Sequence, residues 1–141
     1  MNYSEKIKHW DDLKVGDSAS FTKTITETDI ILWVGSTGDL NPIHIDKEYS
    51  QTTRFGDVIA PGVLVLGLIS NTITMVTFGN VYANQSIKFL KPVYINDTIT
   101  ATATIIEKLE QKHMVKLETK CVNQKGETIM IGEGMEYILQ S

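Results

Sequence analysis

Asp39, Asn41, His44 and Asp46 fall within eight residues of one another, in the run Gly38-Asp39-Leu40-Asn41-Pro42-Ile43-His44-Ile45-Asp46. An imidazole titrates near neutral pH, and a carboxylate beside it adds a second proton acceptor. Asp39 and His44 could together hold one water and take its proton. On a regular helix, positions five apart point about 140° away from each other and could not cooperate. Pro42 argues against such a helix, because it lacks a backbone N–H and biases Asn41 toward an extended conformation. A bend at Asn41-Pro42 removes the restriction and can fold both side chains toward one site. The same residues also read as turn formers, with Asx turns and a surface histidine. A metal centre on Asp39, His44 and Asp46 is disfavoured: one histidine and two carboxylates in a short loop are a poor zinc pattern, and no metal is expected.

Elements on either side must position this bend. Residues 18–26 alternate weakly and are rich in threonine, which suits a first strand. Thr26-Glu27-Thr28-Asp29 has the form of a capping box ahead of Ile30, Ile31, Trp33 and Val34, so a short helix is expected to about Thr37, with Gly38 ending it. A short polar helix follows around Lys47–Thr52. The segment Pro61–Phe78 is the most helix-like, with Pro61 expected at a first helical position. Its Val, Ile and Thr content also suits a strand, but length and the preceding Pro-Gly favour a helix of roughly 27 Å, buried nearly all round. After Gly79 the period changes to two. Strands are expected over Ser86–Val93, with Pro92 at its end or on an edge, over Thr98–Ile105, over His113–Val122, and from Thr128 to Leu139 after a Gln124-Lys125-Gly126 turn. Antiparallel strands with one long apolar helix make an α+β fold, and helix surface left uncovered by the sheet would favour a partner subunit.

The whole chain sets bounds on these readings. Its 141 residues suit a single domain, 1–141, and 42% apolar with 21% charged side chains suits a packed core. A net charge of −4 argues against a nucleic-acid partner. Threonines, Ser70 and Asn71 interrupt the longest apolar run, so no membrane span is expected, and a cytoplasmic protein is the default. The single cysteine, Cys121, is expected to be a buried, inert thiol. His9 and His113 are expected at the surface, and Trp10 and Trp33 to pack.

The run Gly38–Asp46 resembles the hydratase motif of the MaoC-like (R)-specific enoyl-CoA hydratases. The likeness continues through Phe55-Gly56, Ile59-Ala60-Pro61-Gly62, the long helix, Phe89-Leu90-Lys91-Pro92-Val93 and Asn96-Asp97-Thr98. It implies a hot-dog fold, a curved antiparallel sheet around one long helix, as a homodimer or higher homo-oligomer. It further implies a lyase that adds water reversibly to trans-2-enoyl-CoA to give (R)-3-hydroxyacyl-CoA, with no cofactor beyond the coenzyme A carried by the substrate. Asp39 and His44 match the catalytic pair, the Gly62 backbone N–H matches the donor to the thioester oxygen, and Asn41 and Ser70 match residues supporting the pair. Arg54, Lys88 and Lys91 are candidate contacts for coenzyme A phosphates, or else solvated charges. The residues facing an acyl tunnel are open among Val63, Leu66 and Met75.

Three other activities compete. A 3-hydroxyacyl-[acyl carrier protein] dehydratase would use the same chemistry with a basic docking patch. A hot-dog acyl-CoA thioesterase would cleave the thioester, against the Asp39–His44 motif. A non-catalytic acyl-binding domain would have no need of a proton-transfer pair.

Overall fold

Threonine on one face and small or branched apolar residues on the other make residues 98–105 a strand with two distinct sides. In the computed structural model, which describes residues 2–139, this segment opens β3 (Thr98–Leu109) and pairs antiparallel with β1 (Ser18–Thr24). Ile99, Ala101, Ala103 and Ile105 are fully buried. On the opposite face the hydroxyls meet across the strands: Ser18 with Thr104, Ser20 with Thr102 and Thr22 with Thr100 at 2.8 Å, and Thr24 with Thr98 at 2.7 Å. These pairs fix the register from the outer side while the core fixes it from the inner side. Met1, Gln140 and Ser141, the ends of the expected domain, lie outside the described residues.

The remaining strands are β2 (Val81–Phe89), β4 (Met114–Val122) and β5 (Thr128–Tyr137), and the five form one antiparallel sheet in the order β1-β3-β4-β5-β2. Val115, Leu117, Thr119 and Cys121 of β4 are buried as their alternation requires, and burial raises the Cys121 thiol pKa to about 12. The sheet packs on helix α3 (Gly62–Thr77), which touches β1, β3 and β4. This is the hot-dog arrangement, an α+β fold. The shorter helices are α1 (Glu27–Thr37) and α2 (Lys47–Gln51). The α1 capping box forms as its sequence requires, and Gly38 ends the helix with φ 73°, a left-handed conformation that costs glycine little. No helix among the described residues is long and apolar enough to cross a membrane.

Three expectations need correction. Strand β2 starts five residues earlier than Ser86 and ends at Phe89. A register shift between Tyr82 and Asn84 breaks the period-two pattern there, and Pro92 has no N–H for a ladder. Helix α3 is not buried all round: Val63, Gly67, Asn71 and Met75, four apart, make an exposed stripe, while Val65, Ile69, Thr72 and Ile73 face the sheet. Pro61 stands just before the helix as its N-cap instead of opening it.

On β5, Gly132 and Gly134 make room for the Gln85 side chain. A β-carbon at Gly134 would lie 2.7 Å from Gln85 Oε1, and one at Gly132 only 1.9 Å from the Ser86 carbonyl oxygen. Gln85 donates from Nε2 to Thr119 Oγ1 at 2.9 Å and to the Ser86 carbonyl at 2.8 Å, while the Tyr82 hydroxyl donates to its Oε1.

The far end of β5 carries a buried acid, Glu136, whose Oε2 has no partner. Burial raises its pKa from 4.5 to about 7, offset in part by the Thr77 hydroxyl. In the unfolded chain the proton leaves near the ordinary value, so between about pH 4.5 and 7 the folded state holds more protons and stability falls as pH rises. Glu136→Gln should shrink the loss of stability between pH 5 and 8 by about 2–3 kcal/mol. Urea unfolding of both proteins at the two pH values measures this, and equal losses would refute the buried-acid assignment.

Candidate active site

The bend forms at Asn41-Pro42 as its composition demands. A chain of Asx contacts shapes it: Asp39 Oδ1 accepts the Asn41 N–H at 3.1 Å, and Asn41 Oδ1 accepts the Ile43 N–H at 3.4 Å. Pro42–His44 makes a single 3₁₀ turn, and Asp46 Oδ1 then caps α2 through the Tyr49 N–H at 2.9 Å. The turn-former reading therefore holds for Asp39, Asn41 and Asp46. It does not exhaust Asp39, because a carboxylate has two oxygens and about four acceptor positions.

His44 is not a surface histidine. It is half-buried, and its Nδ1 lies 2.7 Å from the Ile59 carbonyl oxygen. A carbonyl only accepts, so Nδ1 carries the hydrogen. In the neutral ring, Nε2 is left with a lone pair. The ring lines a cleft of about 350 Å³ whose walls include Arg54, Gly62, Val65, Lys91 and Met130. Backbone bonds hold this geometry. The Ile59 N–H donates to the Ile43 carbonyl at 3.2 Å, Ser50 Oγ donates to the same oxygen at 3.2 Å, and the Ala60 N–H donates to the Val93 carbonyl at 2.7 Å. Ser50 is fully buried. It escaped the sequence reading because its role is to brace a turn.

Gly62 opens α3 at the cleft wall, and no side chain caps that end of the helix. The first N–H groups of a helix have no partner inside it, and they carry the positive end of its dipole. A β-carbon at Gly62 would lie 2.5 Å from Phe89 Cε1, so glycine lets Phe89 of β2 lie across the helix start. The mouth of the cleft is thus made by α3, the end of β2 and the chain after it.

The other expected site residues divide. Arg54 and Lys91 line the cleft, Arg54 with its guanidinium 5.0 Å from the Phe55 ring centroid and Lys91 paired with Glu127. Lys88 lies elsewhere, in a groove on the sheet with Glu118 and Glu133. Asp39 and Asn41 are exposed on the bend, outside the lining of the cleft. Ser70 is half-buried on α3, on the order of 12 Å along the axis from Gly62. Of the three tunnel candidates, only Val63 lines the cleft; Met75 lies beside the N-terminal segment. Val65 and Met130, which do line it, were missed because neither carries a polar group to single it out. His113 is half-buried, stacked on Trp10 with ring centroids 4.6 Å apart and bonded through Nδ1 to the Ile138 carbonyl. Trp10 packs against the core and Trp33 is half-buried.

The architecture and this cleft place the chain among the hot-dog proteins. R-hydratase PhaJ1 from Pseudomonas aeruginosa, in its unliganded form, superposes with a TM-score of 0.85 at 33% identity, covering 94% of this chain and 86% of that one. A sequence model of the MaoC-like domain matches residues 13–127. An (R)-specific enoyl-CoA hydratase from Rhodospirillum rubrum is 41% identical over 136 residues, 94% of each chain. A mitochondrial 3-hydroxyacyl-[acyl-carrier-protein] dehydratase from Solanum lycopersicum is 34% identical over 86% of this chain and 74% of its own. The chain belongs to the MaoC-like domain family.

Gly62→Ala should cost about 1–3 kcal/mol through the clash with Phe89, and adding Phe89→Leu should recover much of it. Urea midpoints of the single and double variants check this; a single variant as stable as the parent would show that Phe89 yields freely.

Proposed function

We propose that this protein is a hydro-lyase that adds water reversibly to trans-2-enoyl-CoA and forms (R)-3-hydroxyacyl-CoA. One observation carries the reading: His44, its imidazole held by Nδ1, lines a cleft that also contains the start of helix α3. The thioester carbonyl oxygen accepts the Gly62 N–H, where the helix end favours the negative charge that develops on it. That polarises the conjugated double bond and makes C3 electrophilic. In this proposal the water sits at the rim of the cleft, between His44 Nε2 and the exposed Asp39 carboxylate of the bend, and loses a proton to this pair as its oxygen bonds to C3. The π electrons move toward the thioester oxygen, and C2 then takes a proton. Delivery of both groups from one face gives syn addition. The two acceptors share one water and titrate as a coupled pair.

Asn41 supports the reading by shaping the bend, and Ser70 by its place on α3, where it orients the aspartate in this proposal. Arg54 and Lys91 stand at the cleft, as contacts for the coenzyme A phosphates require, whereas Lys88 has no such support. The substrate brings the coenzyme A, and the proposal needs no other cofactor and no metal. It also makes the protein a homodimer or higher homo-oligomer of one domain, since Val63, Phe89 and Leu90 are about half exposed beside the cleft. Cytoplasmic placement is part of it, consistent with one buried, unpaired cysteine.

Asp39→Asn and His44→Ala should each cut crotonyl-CoA hydration at least ~100-fold with the fold intact by circular dichroism. Near-parental turnover in both folded variants would reject the assignment. Parallel assays on matched acyl-carrier-protein thioesters test the carrier alternative, which wins if they turn over faster than the coenzyme A forms.

A further inference from the structure

Two cations stand at the cleft, and they are held differently. The Arg54 guanidinium lies 5.0 Å from the Phe55 ring centroid and has no carboxylate partner among the described residues. Lys91 Nζ instead donates to Oε2 of Glu127, in the turn between β4 and β5. The two side chains of this pair keep 50% and 36% of their surface exposed. An ion pair so wet gains little from its attraction and opens at small cost.

The partners differ in freedom. Glu127 is built into its turn: Oε1 accepts from Asn123 Nδ2, the Glu127 N–H donates to Asn123 Oδ1, and its carbonyl accepts the Asn123 N–H, each at 3.0 Å. The bonds from Lys91 and Asn123 hold the Glu127 carboxyl below its ordinary pKa, so it is a carboxylate at neutral pH. Lys91 is fixed at its backbone, where its N–H and that of Leu90 donate to the Ile129 carbonyl at 3.3 and 2.8 Å. Beyond that point it is a flexible four-carbon stem. When the pair opens, the ammonium can swing while the carboxylate stays. Lys91 lines both the cleft and an adjoining pocket of about 220 Å³ that contains Asn123 and Glu127. An ammonium released from Glu127 therefore remains within reach of an anion at the cleft.

We infer that Glu127 stands in for a substrate phosphate: it occupies Lys91 in the free protein, and a coenzyme A phosphate must displace it to gain that cation. The pair thereby sets how strongly the site favours coenzyme A thioesters over phosphate-free ones. Glu127 touches no substrate in this scheme and acts through Lys91. The inference rests on the hydratase reading and adds to it a residue that tunes the choice of thioester carrier.

Initial rates of the full chain on crotonyl-CoA and on crotonyl-pantetheine, which carries no phosphate, provide the test. The quantity read is the ratio of the two kcat/KM values. Glu127→Gln should raise the ratio about threefold, since the phosphate no longer has an ion pair to break. Lys91→Gln should lower it at least about threefold. Adding Glu127→Gln to Lys91→Gln should change the ratio at most about 1.5-fold, because direct repulsion between exposed charges is screened. An unchanged or lower ratio in folded Glu127→Gln would overturn the inference alone. So would a rise as large without Lys91 as with it, which would make Glu127 a simple repelling charge. Parental turnover of neither thioester would bring down the hydratase reading and the inference with it.

Discussion

The hydrogen bond from His44 Nδ1 to the Ile59 carbonyl is the contact on which the candidate site depends. It sets the tautomer of the ring, and it ties the bend to the segment that runs through Ala60 and Pro61 into α3. The Ile59 N–H closes the same connection from the other side by donating to Ile43. Two strands of loop are thus joined in both directions around one residue, and the Ala60–Val93 bond and Ile59–Tyr94 bridge extend the join to the chain after β2. The imidazole and the helix start are set relative to each other by backbone bonds, so preorganisation here needs no long side chain that must be ordered on binding.

Much of this was legible from residue types. The Thr26–Asp29 capping box, the glycine that ends α1, the Thr98–Ile105 alternation and the inward set Val115, Leu117, Thr119 and Cys121 are local rules obeyed locally. What could not be read depends on partners distant in sequence. The start of β2 was hidden by its irregular register against β5, which exists only once the strands meet. The Phe89 ring lies against Gly62, twenty-seven residues earlier, and Ser50 is buried where it braces the Ile43 carbonyl. The bend at Pro42 was readable; that His44 would turn inward to Ile59 was not, since nothing in its neighbours specifies a carbonyl fifteen residues away.

The sheet treats its polar residues in two ways. On the outer face of β1 and β3, hydroxyls pair with one another across the strands, beside solvent. On the inner face, Tyr82, Gln85 and Thr119 form a connected group under α3, and Glu136 near it retains an unpartnered oxygen. Satisfied polar groups inside a core specify one arrangement of it, while an incompletely satisfied acid lowers stability whenever it ionises. Helix α3 therefore lies over a surface that changes from apolar near Gly62 to polar near Thr77.

The paired glycines of β5 look interchangeable in the sequence but constrain its divergence differently. At position 132 a side chain would collide with main chain, which no change elsewhere on β2 relieves; at position 134 the obstacles are the ends of side chains, Gln85 foremost. Gly132 is thus invariable for this backbone. Gly134 can take a side chain once the Gln85 amide moves aside or is shortened, so tolerance at position 134 is coupled to the residue at position 85.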